Sequence, residues 1–220
     1  MKKISIACVV AALTLVSIPS HAADESAGPP ADVPAGSYKL DKSHASLVFR
    51  VNHLGFSHYT ARFTGLDANL AFDPANPVAS RGEAVIDPAS LDLDNPPPGF
   101  KEALLSAQWL DIAPFPKMTF RSNKVEVTAA NAARITGNFT LHGVSKPVVL
   151  ETVFNGGYRG HPMDPHARIG FSAKGVLKRS DFGITIGIPA PGSKMGVSDE
   201  VEFTIEAEFT GPPLVAPKTQ

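Results

Sequence analysis

One segment near the C-terminus alternates strictly between apolar and polar side chains: Val201-Glu202-Phe203-Thr204-Ile205-Glu206-Ala207-Glu208-Phe209. Side chains of a β-strand point to opposite faces in turn, so this alternation predicts a strand with one apolar and one solvated face. A helix of the same sequence would scatter the glutamates around its axis. The segment therefore predicts an antiparallel sheet with one face exposed to solvent. Its apolar face contacts either a packed core or a bound ligand.

The N-terminus has the three parts of a secretory signal peptide. Two lysines follow the initiator methionine, an apolar run covers residues 4–18, and a Ser-His-Ala sequence ends at Ala22. This pattern predicts that residues 1–22 are a signal peptide, cleaved after Ala22, and that the mature protein is periplasmic. An uncleaved membrane anchor is the alternative, but the apolar run is short for a bilayer span.

The predicted mature chain has no cysteine, because the single cysteine, Cys8, lies in the signal peptide. An exported protein without disulfides must be stabilised by its core or by closure of its sheet. The whole sequence has a formal net charge of −1, and loss of the two signal lysines makes the mature chain more acidic. This balance disfavours nucleic acid and anionic membrane surfaces as main partners.

Composition divides the mature chain into three regions. Residues 23–36 are rich in Ala, Pro, Asp and Gly without periodicity, which predicts a disordered leader. Residues 37–210 have a length that fits one domain. Residues 211–220 contain several prolines and are predicted to form a loose tail.

Eight segments of the predicted domain have the pattern of β-strands, and one has the composition of a helix. The predicted strands cover residues 46–53, 60–72, 81–86, 118–127, 134–141, 148–154, 169–177 and 201–209. The apolar residues of the second predicted strand change from odd to even positions near Gly65, which predicts a β-bulge there. Residues 100–105 contain strong helix formers and are the one predicted helix. Short, evenly spaced, alternating strands are typical of an all-β sandwich or barrel, and an eight-stranded barrel can hold one small ligand.

Motifs for catalysis or metal binding are absent from the sequence. It contains no nucleophile elbow, no phosphate-binding loop and no dinucleotide fingerprint. Six of the seven histidines follow the signal peptide, but they lack the spacing and the cysteine partners of a zinc site, so no metal is predicted. Turn aspartates more often bond backbone N–H groups than act as acids or bases. The alternative function is a small hydrolase or isomerase that uses His44, His53 and a turn aspartate on an apolar substrate.

The predicted inward faces offer mainly apolar surface. Phenylalanines occupy most of the strands, at positions 49, 63, 72, 120, 139, 154, 171, 203 and 209. Burial of apolar surface contributes about 25 cal/mol per Å², so a long apolar guest could bind without polar contacts. An ordinary packed core has the same periodicity, and the pattern leaves both interpretations open.

Six motifs resemble those of the YceI-like family, and together they extend over nearly the whole predicted domain. They are Tyr38-Lys39-Leu40-Asp41-Lys42-Ser43-His44, Val48-Phe49-Arg50-Val51-Asn52-His53-Leu54-Gly55, Phe115-Pro116-Lys117-Met118-Thr119-Phe120-Arg121-Ser122, Gly137-Asn138-Phe139-Thr140-Leu141-His142-Gly143-Val144-Ser145-Lys146-Pro147-Val148, Arg179-Ser180-Asp181-Phe182-Gly183-Ile184 and Asp199-Glu200-Val201. The chain departs from the family pattern at Ala45, where a serine is common, and at Ala61, where a glycine is usual.

The resemblance implies an eight-stranded antiparallel lipocalin-like barrel with one short helical segment. It implies a long hydrophobic pore that holds an isoprenoid quinone, a polyprenyl chain or another long-chain amphiphile as its ligand. It brings no catalytic residues and no cofactor. A homodimer and a transient membrane contact for lipid exchange are the further partnerships that it suggests.

The strand positions whose side chains point inward, taken together with this resemblance, predict the residues that contact the ligand. The predicted pore-lining residues are Phe49, Val51, Leu70, Phe72, Phe120, Phe139, Phe171, Phe203 and Ile205. His53 and Trp109 are predicted to lie at the headgroup end. The mouth is expected near the proline-rich loop and the helix. The third interpretation is an interaction or stress protein whose barrel is purely structural.

Overall fold

The computed structural model describes residues 32–214. Its strands are β1 (Gly36–His53), β2 (Ser57–Phe63), β3 (Leu66–Phe72), β4 (Arg81–Ile86), β5 (Leu91–Leu93), β6 (Met118–Ala129), β7 (Ala132–Leu141), β8 (Val144–Tyr158), β9 (His166–Lys178) and β10 (Val197–Pro213). Three 3-10 helices cover Pro77–Ala79, Pro88–Ser90 and Arg179–Phe182. The predicted signal peptide, most of the predicted leader and the last residues of the predicted tail lie outside the described residues.

The strands close into an eight-stranded antiparallel barrel, which confirms the predicted fold class. The order around the barrel is β10, β9, β8, β7, β6, β4, β3 and β1, and β1 pairs back with β10. The second half of β1 pairs with β2, and β2 pairs with β5. β2 therefore continues the line of β3, and β5 continues that of β4, so ten segments form eight strands.

The predicted helix is also confirmed. It is α1 (Phe100–Leu105), the only α-helix among residues 32–214. None of the helical segments in this range has the length and apolar character that a bilayer span requires.

The two ends of the barrel are built differently. The helix end carries α1, the β1–β2 and β7–β8 turns and the connection between β9 and β10. The far end carries the β3–β4, β6–β7 and β8–β9 connections and the start of β1. These two names are used below.

The break between β2 and β3 lies at Gly65, where the sequence predicts a bulge. The Gly65 N–H donates to Ser90 Oγ at 2.7 Å, and the Asp87 N–H donates to the Gly65 carbonyl at 2.8 Å. A Cβ at residue 65 would lie 2.9 Å from the Cβ atoms of Asp87 and Ser90. The bend of β2–β3 and the bend of β4–β5 interlock because this residue has no side chain.

Ordered packing extends a few residues beyond both predicted domain boundaries. Val33 is only 3% exposed, and Gly36 begins β1 by pairing with Phe72 of β3. At the other boundary, β10 continues to Pro213, which pairs with His166 of β9. These residues complete the edges of strands that the alternation pattern identified only in part.

Two groups of buried side chains pack near the two ends of the barrel. The helix-end cluster consists of Leu47, Ala61, Phe63, Ile86, Leu91, Met118, Leu141, Val148, Phe182 and Ile184. The far-end cluster consists of Val33, Tyr38, Leu40, Phe72, Phe154, Ala167, Ile169 and Phe209. Burying a large apolar side chain fully contributes about 1.5–3 kcal/mol relative to exposure. The interior between the two clusters is hollow.

Candidate ligand-binding cavity

The hollow is a cavity of about 260 Å³ whose surface is almost entirely apolar. Large side chains that border it are Leu47, Leu70, Phe72, Ile86, Phe120, Ile135, Leu150, Phe154, Phe171, Ile205 and Phe209. A water molecule in the liquid occupies about 30 Å³, so this volume corresponds to roughly nine atoms of that size. The cavity therefore has room for one short hydrocarbon segment and no room for a bulky ring system.

Small residues at inward positions create this space. They are Ala45, Ala68, Gly82, Ala84, Ala133, Ala173 and Ala207, contributed by six of the eight strands. Side chains that line a void lack contact atoms on one side, so a guest would gain the dispersion contacts that the protein does not make with itself. An apolar cavity of this kind stays dry and favours apolar ligands.

Three of the polar residues that border the cavity are bonded within the protein, whereas the Asp67 Oδ1 is buried without a hydrogen-bond partner among residues 32–214. Ser122 Oγ accepts from the Gly82 N–H at 2.8 Å, and Ser80 Oγ accepts from the Asp73 N–H at 3.3 Å. Glu83, which also borders the cavity, forms an ion pair with Arg121 at 3.0 Å. These groups stabilise the wall and leave few hydrogen bonds for a guest. The cavity therefore suits an unsubstituted hydrocarbon tail.

The cavity opens at the far end of the barrel, and this corrects the expectation of a mouth near the helix. Its outermost lining residues are Pro77, Val127, Ala129, Ala130 and Asn131, and Val127 is 51% exposed. β6 continues to Ala129, well past its last pairing with β4 at Arg121, so the wall is incomplete there. The helix end is filled by its own cluster, which is why no mouth forms under α1.

The eleven predicted ligand contacts fall into two sets. Leu70, Phe72, Phe120, Phe171 and Ile205 border the cavity. Phe49, Trp109, Phe139 and Phe203 pack against the helix-end cluster, Val51 is half-buried, and His53 is exposed beside the β1–β2 turn. As ligand contacts, all of these residues remain predictions.

The small residues of the wall are the cavity features that the sequence reasoning missed. Ala84 pairs with Ala68 on one side and with Phe120 on the other, so two of three neighbouring inward positions lack bulk. The sequence does contain alanines and glycines at positions that alternation assigns to the inward face. Their effect could not be interpreted without knowing which strands are neighbours and which of these residues meet at the same height in the barrel.

The two histidines of the alternative catalytic site do not come together. His44 lies near the middle of β1 and His53 is its last residue, roughly 30 Å apart at about 3.3 Å per residue. Neither histidine borders the cavity. Among the turn aspartates, Asp87 accepts from the Ala89 N–H at 2.9 Å and Asp199 accepts from the Ser180 N–H at 2.9 Å, which are structural roles.

Asp41 is the centre of a polar network on the outer face of the far end. It accepts from the Ser43 hydroxyl at 2.6 Å, and it bonds Arg168 and, at 3.1 Å, the His44 Nδ1. Arg168 also donates to Asp164 at 2.9 Å, which ties β9 to the β8–β9 connection. The Ser43 hydroxyl, followed by the Arg168 guanidinium and the His44 ring, holds the pKa of the Asp41 carboxyl well below its usual range.

This network has the donor atoms of a metal site but not its electrostatics. Ligand atoms of Asp41, His44 and Glu208 lie within 4.8 Å of one another. However, the oxygen of Asp41 that faces His44 is the same one that binds the Arg168 guanidinium. A fixed positive charge on that oxygen opposes a cation, so the network is better explained as a clamp on the bulge between Leu40 and Ala45.

The Asp41→Asn variant should lose stability in a pH-dependent way. Because the folded-state pKa of Asp41 is depressed, its carboxylate stabilises the protein above the ordinary carboxyl pKa of about 4, and this stabilisation is lost as the pH falls further. We expect the variant to be less stable by about 1–3 kcal/mol at pH 7, with a gap that narrows below about pH 4. Urea unfolding at several pH values measures this.

Asp92→Asn is the matched control for that experiment. Its carboxylate pairs with Arg62 at 2.6 Å, but both side chains are about half exposed, so the cost should stay below about 1 kcal/mol. If Asp41→Asn lowers the free energy of unfolding by an equally small amount, or by the same amount at every pH, Asp41 does not act as a clamp.

The motif residue Arg179 bonds to the backbone of the helix end and does not border the cavity. The Arg179 guanidinium, 5% exposed, donates to the carbonyls of Val197, Ser198 and Ile186 at 2.8, 2.9 and 2.6 Å. Its centre lies 5.4 Å from the Trp109 ring. Trp109, predicted at the headgroup end, is thereby part of the helix-end structure.

Comparison with known proteins agrees with this architecture. The family model of the YceI-like domain matches residues 38–209. Protein YceI of Salmonella arizonae is 38% identical over 177 residues, which cover 79% of this chain and 86% of that protein. The crystal structure of the Campylobacter jejuni YCEI protein has 29% identity and a TM-score of 0.59, covering 73% of this chain and 89% of that one.

A more distant solved structure shares the fold. It is a polyisoprenoid binding domain from Saccharophagus degradans, with 14% identity and a TM-score of 0.55, and the match covers 81% of this chain and all of that one. The family model and the 38% identical relative both extend over most of the barrel. The chain therefore belongs to the YceI-like family, as its sequence motifs suggested.

Proposed function

We propose that this protein is a periplasmic lipid-binding protein that holds the tail of an isoprenoid quinone, a polyprenyl chain or a similar amphiphile in its cavity. The observation that carries the proposal is the apolar hollow between two packed clusters, in a barrel that could otherwise have filled its own interior. The polyisoprenoid binding domain of Saccharophagus degradans, which has the same fold, supports this ligand class.

Binding is passive in this proposal. Leu70, Phe72, Phe120, Phe171 and Ile205 replace water around the tail, and the headgroup stays at the mouth beside Asn131. The protein thereby transports, stores or sequesters the amphiphile. Exchange takes place through a transient contact of the far end with a membrane, and a homodimer is compatible with this because the barrel sides remain free.

Protein purified from cells should carry an amphiphile. Native mass spectrometry is expected to show an adduct that disappears after organic extraction and returns when farnesol is added. The same spectrum tests export, because cleavage after Ala22 leaves Ala23 as the first residue. Protein that carries no adduct and does not bind farnesol would contradict the proposal.

The hydrolase or isomerase alternative has less support. It needs His44, His53 and an aspartate at one place, but the two histidines lie nine residues apart along β1 and outside the cavity lining. The family likeness and the apolar cavity both favour binding over catalysis.

A further inference from the structure

The barrel interior directly above the cavity is closed by phenylalanine rings. We call Phe49, Phe63, Phe139 and Phe203 the aromatic layer. Phe49 and Phe63 are stacked with centroids 5.3 Å apart, and Phe139 meets Phe182 edge-on at 5.7 Å. All four rings belong to or pack against the helix-end cluster, and none of them borders the cavity.

A glycine on the neighbouring strand gives the Phe203 ring its space. A Cβ at Gly175 would lie 2.5 Å from the Phe203 ring. The Phe203 side chain therefore lies flat against the backbone of β9 and occupies the lumen. The same arrangement recurs one layer lower, at Phe120.

Phe120 and Leu47 are residues at which the cavity meets the aromatic layer, and Leu47 pairs with Phe63 of the layer. Phe120 contributes the larger side chain. It borders the cavity, and its partner across β7 is Phe139 of the layer. Its ring lies over Gly137, where a Cβ would collide with the ring and lie 2.6 Å from the Arg121 carbonyl oxygen. The position of Phe120 is thus fixed from one side by the glycine and from above by the layer.

The cavity is closed towards the helix end and open at the far end. A tail that passes the rim at Pro77 and Val127 moves towards the helix end until it meets Phe120. The volume of about 260 Å³ holds roughly nine carbon atoms when each is given about 30 Å³. Carbons beyond that number must remain outside the mouth.

We propose that Phe120, backed by the aromatic layer, sets the length of hydrocarbon tail that this protein buries. The inference rests on the proposed function, since it assumes that the cavity takes an apolar tail. Longer tails bind through their terminal segment only, so their affinity gains nothing from the added length. Phe120 is in this sense a specificity-determining residue.

The consequence is a break in the dependence of affinity on chain length. Each buried methylene contributes about fourfold in affinity. Dissociation constants of linear primary alcohols should therefore fall about fourfold per carbon up to roughly nine carbons and stay flat beyond that length. Displacement of a fluorescent fatty-acid probe by the series from hexanol to octadecanol measures this curve.

Shortening Phe120 should move the break. Phe120→Ala removes about six ring carbons next to the lumen, so the break should move to longer alcohols by about four to six carbons. Phe120→Leu removes fewer atoms and should move it by about two. Phe115→Leu is the matched control, because Phe115 packs on His142 at the helix end, does not border the cavity and is not part of the aromatic layer, so the break should stay unchanged.

Thermal unfolding of each variant shows whether it is folded. If Phe120→Ala does not fold, Phe120→Leu still tests the proposal. Wild-type protein that binds none of the alcohols would overturn the proposed function itself. Wild-type affinity that rises through tetradecanol, or a break that stays in place in folded Phe120 variants, would overturn the length limit alone.

Discussion

Replacing Ala173 with phenylalanine should abolish amphiphile binding without unfolding the protein. Ala173 borders the cavity at mid-height, between Thr152 of β8 and Ile205 of β10. A phenylalanine ring there would take up most of a space that holds roughly nine carbons. At about fourfold per methylene that can no longer be buried, the dissociation constant of decanol should rise at least about a hundredfold.

The stability of this variant is as informative as its binding. A ring placed in a void gains apolar burial and creates little overlap, so the free energy of unfolding should stay within about 2 kcal/mol of the wild type. Ala71→Phe is the control, because Ala71 lies on the outer face of β3 and does not border the cavity. It should bind decanol like the wild type. A folded Ala173→Phe variant that still binds normally would show that the ligand lies elsewhere.

Replacing Arg179 with methionine should have the largest effect on stability. The guanidinium holds the connection between β9 and β10 through bonds to the carbonyls of Ile186, Val197 and Ser198. Methionine leaves these carbonyls without the donor that joins them. The expected loss is about 3–5 kcal/mol, or roughly 6–20 °C in Tm for a domain of this size.

Arg50→Met is the control for Arg179→Met. Arg50 pairs with Glu202 at 2.7 Å on the outer face, but 58% of its side chain is exposed, so its loss should cost less than about 1 kcal/mol. Urea unfolding followed by circular dichroism compares the two variants. Equal effects would mean that Arg179 does not hold the helix end together.

The strands, their inward faces and the helix could be predicted from the sequence because these features depend on local order. Alternation assigned Ile135, Phe139 and Leu141 to one face of β7, and residues 100–105 were identified as a helix from composition. The family likeness rested on motifs such as those at Asp41 and Arg179. In the structure these two residues stabilise the two ends of the barrel.

Local order could not show which inward residues face the cavity. Phe203 and Ile205 are consecutive inward positions of β10, and the sequence predicted both as ligand contacts. In the structure Phe203 belongs to the aromatic layer, while Ile205 borders the cavity. The difference lies in their partners on β9, which are Gly175 and Ala173. Gly175 admits a ring across the lumen, whereas Ala173 leaves a hollow beside Ile205.

The sequence by itself determined a strand from residue 201 to 209 with one dry face, in an all-β domain whose motifs are those of the YceI-like family. Only the tertiary structure decided that the inward faces enclose a hollow between two packed clusters, and that this hollow opens at the far end. The reason is physical. Burial of a face depends on residues close in sequence, but the volume between faces depends on which residues of different strands meet at the same height. Pairing register and unequal strand lengths, such as those of β4 and β6, set that height.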